Sequence, residues 1–204
     1  MGKPVKFRTN GFIRFLAAAF LLAGAAIGAI NAVYPAHPEF GRLYAGLTVH
    51  FDDMRLNSAV LAFFAERVFQ YGKYIAVIWF SGFIPAAAVL VFPVLFIKGC
   101  GLAFAAVLTG SARGTVYALT LLGPQNLIWL PVCLYAACGS VRQGLGNLRA
   151  AMIMRGSGHR ETASRLRISA GTSDYSFRLL LGILASAAAA FIETWLTPVL
   201  LGLI

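Results

Sequence analysis

Apolar residues run through this chain in long blocks separated by short polar intervals. Residues 12–33 are apolar apart from Arg14 and Asn31, and residues 74–110 apart from Lys98. Residues 115–140 are apolar around a Gly123-Pro124-Gln125-Asn126 interruption, and residues 177–204 apart from Arg178 and Glu193. About 20 apolar residues, rising 1.5 Å each, cross the hydrocarbon of a bilayer. The block pattern therefore predicts an all-α fold, a polytopic transmembrane helix bundle forming one membrane domain over 1–204. The block at 74–110 is too long for one crossing and predicts two short ones. Pro85 to Leu90, or Lys98-Gly99-Cys100-Gly101, offers the turn between them. The expected spans are about 12–33, 74–88, 90–110, 115–140 and 177–202.

The polar intervals set the expected orientation. Residues 34–73 carry Arg42, Arg55, Arg67 and Lys73 against Glu39, Asp52, Asp53 and Glu66, so they are balanced in charge. Residues 141–176 carry six arginines against Glu161 and Asp174, and the amino-terminal stretch has Lys3, Lys6 and Arg8. Basic intervals stay on the cytoplasmic side. Both basic intervals are thus expected inside, with 34–73 outside. That parity requires three crossings between 74 and 140, hence five spans with the N-terminus cytoplasmic and the C-terminus extracytoplasmic. The outer interval reads as an amphipathic helix in its second half. Leu56, Val60, Phe64, Val68 and Tyr71 share one face, and Asp52 or Asp53 is suited to cap its start.

Composition sharpens this picture. Of the 204 residues 59% are hydrophobic and 12% charged, where a soluble domain carries about 25% charged. The net charge of +10 sits in the intervals and not in a basic stripe interleaved with aromatics, which argues against nucleic acid and for the lipid bilayer as partner. Cys100, Cys133 and Cys138 all lie in apolar segments, where they serve as small packing residues.

Candidate chemistry is sparse. His50 with Asp52 and Asp53 is the one cluster of ligand types, and it lacks a further anchor, so no metal and no cofactor is expected. No nucleophile elbow, phosphate loop with a lysine or HExxH motif occurs. The expectation is a protein that is not an enzyme, with no catalytic residues. Pro124, Gln125, Asn126 and Glu193 form the expected intramembrane polar packing. Counting along antiparallel fourth and fifth spans puts Gln125, Asn126 and Glu193 at one depth, which predicts that Glu193 hydrogen-bonds the amide pair. An ion or proton relay through the same residues, in a small-solute or ion permease, is the alternative. Small residues predict close helix packing at Gly24 and Gly28, Gly99 and Gly101, and Gly182 and Ser186.

Four stretches together resemble one family. They are Lys73-Tyr74-Ile75-Ala76-Val77-Ile78-Trp79, Phe96-Ile97-Lys98-Gly99 with Gly101, Gly123-Pro124-Gln125-Asn126-Leu127-Ile128-Trp129-Leu130-Pro131, and Phe191-Ile192-Glu193-Thr194-Trp195-Leu196-Thr197-Pro198. In order and spacing the chain resembles stage II sporulation protein M, the integral-membrane member of the engulfment machinery of spore-forming bacteria. The resemblance implies a non-enzymatic scaffold at the sporulation septum or engulfing membrane. Its implied partners are stage II sporulation proteins D and P, which remodel septal peptidoglycan. Leu56, Phe63, Phe64 and Val68, on the expected outer helix, are the candidate docking residues for them.

Overall fold

The structure, a computed structural model, describes residues 9–34, 60–156 and 172–203. Helix α1 spans Thr9–Val33, α2 Val60–Ser81, α3 Ala87–Arg113 and α4 Thr115–Gly156. Helix α5 spans Thr172–Phe191 and passes through a π-helical turn, Ile192–Leu196, into a short α6, Thr197–Leu201. Among the described residues there is no strand.

Four helical stretches are long and apolar enough to cross a membrane: Gly11–Val33, Ala87–Arg113, Thr115–Arg149 and Tyr175–Leu201. The expected short span at 74–88 is not a separate element. It forms the second half of α2, which began 14 residues earlier and carries Glu66, Arg67 and Lys73. The outer amphipathic helix and the second span are one rod because the apolar phase never breaks: Tyr71, Ile75 and Ile78 are all buried. At 22 residues the rod is about 33 Å long, enough to match its neighbours. Charge, not length, separates it from them.

The turn between α2 and α3 lies at residues 82–86, around Pro85, and not at Lys98. Lys98 sits in mid-helix. Gly114, at φ +95°, makes the reversal between α3 and α4 in a single residue, a conformation that glycine adopts without steric cost. Helix α4 then continues to Gly156, well past the expected end of the fourth span at 140. Its 42 residues extend about 63 Å, roughly twice the hydrocarbon thickness. Contacts hold the extension: Asn147 Nδ2 donates to Gly82 O at 3.1 Å. A Cβ on Gly144 would come 2.7 Å from Ile84 O, so only glycine lets the α2–α3 turn sit there.

Helices α1 and α3 run parallel and close. A Cβ on Gly24 or Gly28 would strike the carbonyls of Phe96 or Cys100, and one on Gly99 would strike that of Leu21. With no water competing, backbone proximity of this kind gives helices their dispersion contact in lipid. Gly101, expected at the same contact, faces open space, since it lies two positions round the helix from Gly99. Helices α2 and α5 run antiparallel. Ile75 fills the notch at Gly182, and Trp79 stacks on Tyr175 with ring centroids 5.5 Å apart. The core between them holds Tyr71, Ile75, Ile78, Trp129, Cys133, Ala189 and Ala190.

Candidate functional site

The polar centre begins at the π-turn. Pro198 has no N–H to donate, and its ring crowds the carbonyl one turn back, a strain that an expanded turn relieves. The Thr197 backbone N–H reaches Ile192 O, and the Thr197 hydroxyl donates to the same oxygen at 3.1 Å. Glu193 lies inside this turn and is 7% exposed.

Its partners come from α2. The Tyr71 hydroxyl donates to Glu193 Oε2 at 2.8 Å, and Arg67 Nη1 lies 3.3 Å from Oε1. Residues 67 and 71 are one turn apart, so one face of α2 presents two donors to one carboxylate. Arg67 also covers the Phe63 ring at 4.6 Å. A carboxylate at membrane depth is costly unless paired and hydrogen-bonded, and this one is both.

A second cation stands beside the pair. Lys98 Nζ of α3 lies over the rings of Trp129, Tyr74 and Tyr71, at 4.8, 5.0 and 5.3 Å. The faces of these three rings carry negative potential, which offsets part of what the ammonium loses in hydration. Trp129 is fully buried, and its Nε1 donates to Ser186 Oγ at 3.3 Å. The Ser186 hydroxyl in turn donates to Gly182 O at 2.8 Å. The network thus ties together α2, α3, α4, α5 and the π-turn.

One sequence expectation is corrected here. Glu193 does not bond Gln125 or Asn126: the amide of Gln125 donates to Leu121 O, and that of Asn126 to Leu122 O at 2.7 Å. Each amide N–H donor is taken up on its own helix, one turn back, while both amide oxygens are buried without a partner and the π-turn aims Glu193 at α2. Arg67 supplies the carboxylate's cation. The sequence signal is present but divided: Arg67 falls in the polar outer interval, and Tyr71 on the apolar stripe.

Asn126 has a further property. It is 7% exposed, and its Oδ1 has no hydrogen-bond partner. It opens onto a cleft of about 1000 Å³ between α3 and α4. The cleft walls are mainly small or apolar: Ala106, Gly110, Ala118, Gly123 and Leu127.

The candidate docking residues are placed differently from expectation. Leu56 lies outside the described residues, as do His50, Asp52 and Asp53. Phe64 packs on Trp195 at 5.2 Å, and both Phe64 and Val68 lie against the core. Phe63 is half-buried beneath Arg67. Phe64 and Val68 are apolar because they face this protein's own π-turn and core. The large apolar residues of α2 that point outward include Leu61, 75% exposed, Phe69, 69%, and Phe80, 64%.

Comparison with known proteins adds the family. The family described as stage II sporulation protein M matches residues 17–198, most of the chain. The chain belongs to that family. No curated protein and no solved structure matches it. Family membership and four apolar helices together make this a sporulation-related, multi-pass membrane protein. The matched range contains every part of the polar centre, from Arg67 and Lys98 to Trp129 and Glu193.

Proposed function

We propose that the protein is a non-enzymatic scaffold of engulfment, holding the septal peptidoglycan hydrolases, stage II sporulation proteins D and P, at the membrane. The observation that carries this reading is the cleft at Asn126. A buried acceptor with no donor, in an apolar wall of small residues, is costly in lipid. A transmembrane helix bringing a side-chain donor satisfies it, and small residues let that helix approach. The occupant is a single membrane-spanning helix of a hydrolase partner. Tethering an enzyme in this way raises its local concentration at the septum without a new chemical step.

The Arg67–Glu193–Tyr71 knot supports a platform over the alternative of a permease. A carboxylate bound by two donors is a structural tie, whereas a transport relay needs one that is released. Five crossings, α2 included, with the 34–59 interval outside, complete the proposal.

Asn126→Leu tests it. The leucine removes the unsatisfied oxygen and fills part of the cleft, so the purified variant is expected to be at least as stable as the parent. Its co-purification with the D and P proteins from sporulating cells is expected to fall about tenfold, the equivalent of one lost hydrogen bond of ~1.4 kcal/mol. Undiminished recovery of both partners by a stable Asn126→Leu protein contradicts the proposal.

A further inference from the structure

A second polar site lies at the other end of the bundle, on the side where α1 and α5 begin. A pocket of about 280 Å³ is lined by Arg14, Pro131, Leu134, Tyr135, Cys138, Arg142 and Arg178. Three guanidinium groups from three helices thus converge on one cavity, and no carboxylate is among the described side chains that line it.

The seat of each arginine is defined. Arg178 lies over the Tyr135 ring at 4.2 Å, and its Nη1 donates to Tyr135 O at 3.2 Å. A Cβ on Gly139 would come 2.6 Å from Arg178 Cδ, so the missing side chain gives that arginine its place. Arg142, one turn beyond Cys138 on α4, has a buried Nε with no hydrogen-bond partner. Arg14 is exposed at the start of α1. Like charges gathered at low dielectric repel, and a buried guanidinium N–H without an acceptor is costly. An oxyanion with several acceptor oxygens relieves both, and the planar forks of arginine suit a phosphoryl group.

We infer that this pocket binds a phosphoryl oxyanion, with Arg14, Arg142 and Arg178 as its ligands. The group is the phosphodiester of an anionic phospholipid, one with no headgroup cation of its own, or a free phosphate. The apolar wall of Pro131 and Leu134 suits the first, since an acyl chain would continue along it.

The test uses the purified full-length protein in a neutral detergent and reads its thermal midpoint and its bound lipid by native mass spectrometry. Dioleoylphosphatidylglycerol, dioleoylphosphatidylcholine and inorganic phosphate are added separately. Phosphatidylglycerol is expected to raise the midpoint and to bind about tenfold more weakly to Arg142→Gln and to Arg14→Gln. Arg149→Gln, on an exposed position further along α4, is expected to bind as the parent does. Stabilisation by inorganic phosphate that is lost in the same two variants also supports the site, and assigns it to a soluble ligand. Equal response to phosphatidylcholine and phosphatidylglycerol with no response to phosphate, or binding unchanged in both variants, overturns the inference. Arg14→Gln, on an exposed side chain, keeps the test decisive if Arg142→Gln fails to fold.

Discussion

Glu193 has two donors and one carboxylate charge to neutralise, so the identity of its replacement matters more than its loss. Glu193→Ala leaves Arg67 buried without its counter-ion and Tyr71 without an acceptor. Removing one member of a buried pair costs roughly 3–5 kcal/mol. Glu193→Gln keeps one acceptor oxygen in place of two and loses the charge, so it is expected to cost less than Glu193→Ala but still destabilise the fold. Replacing both charges with apolar groups, Arg67→Met with Glu193→Leu, is expected to recover most of the stability lost by Glu193→Ala, because no charge is then left unpaired. Denaturant titration in mixed micelles measures all three. A Glu193→Gln protein as unstable as Glu193→Ala would show that the carboxylate's charge, and not its hydrogen bonds, carries the tie.

At the scale of elements, the glycines separate into those that touch a neighbour and those that do not. Gly24 and Gly28 face the carbonyls of Phe96 and Cys100, whereas Gly101 faces open space. Gly24→Leu and Gly28→Leu are each expected to destabilise by at least ~1–3 kcal/mol, as overpacking does, by levering α1 off α3. Gly101→Ala is expected to stabilise by about 0.5–1 kcal/mol through helix propensity alone. The same micelle titration distinguishes the two classes. All three glycines stand in similar apolar sequence, and only their azimuth on the helix separates them. For α2 the difficulty is of another kind. Charge at Glu66, Arg67 and Lys73 divides a continuous apolar phase into an apparent loop and an apparent short span. Their unity shows only when Tyr71, Ile75 and Ile78 are seen packed on one side.

For the whole molecule the helix directions are mutually consistent: α1 and α3 run parallel, and α2 and α5 antiparallel. Five crossings with α2 included would put the intervals before α2 and after α4 on opposite sides of the membrane. Single cysteines placed at Asp52 and at Arg160, in a protein with Cys100, Cys133 and Cys138 replaced by Ala, test this. An impermeant maleimide on intact cells is expected to label the probe at 52 and spare the one at 160. The reverse result would move the cleft's partner helix into the opposite orientation.

Block length and charge in the sequence determined that this is a helical membrane protein and where most of its spans lie, because the cost of burying polar backbone in lipid acts on composition alone. Recognition of the family also came from linear order: the Pro-Gln-Asn and Glu-Thr-Trp-Leu-Thr-Pro stretches are contiguous. Only the tertiary structure decided which polar groups meet. Glu193 pairs across 126 positions with Arg67, and the three arginines of the pocket come from three helices. Such contacts depend on how each helix is rotated about its axis. A single π-turn changes that rotation by more than any count of residues along the chain reveals.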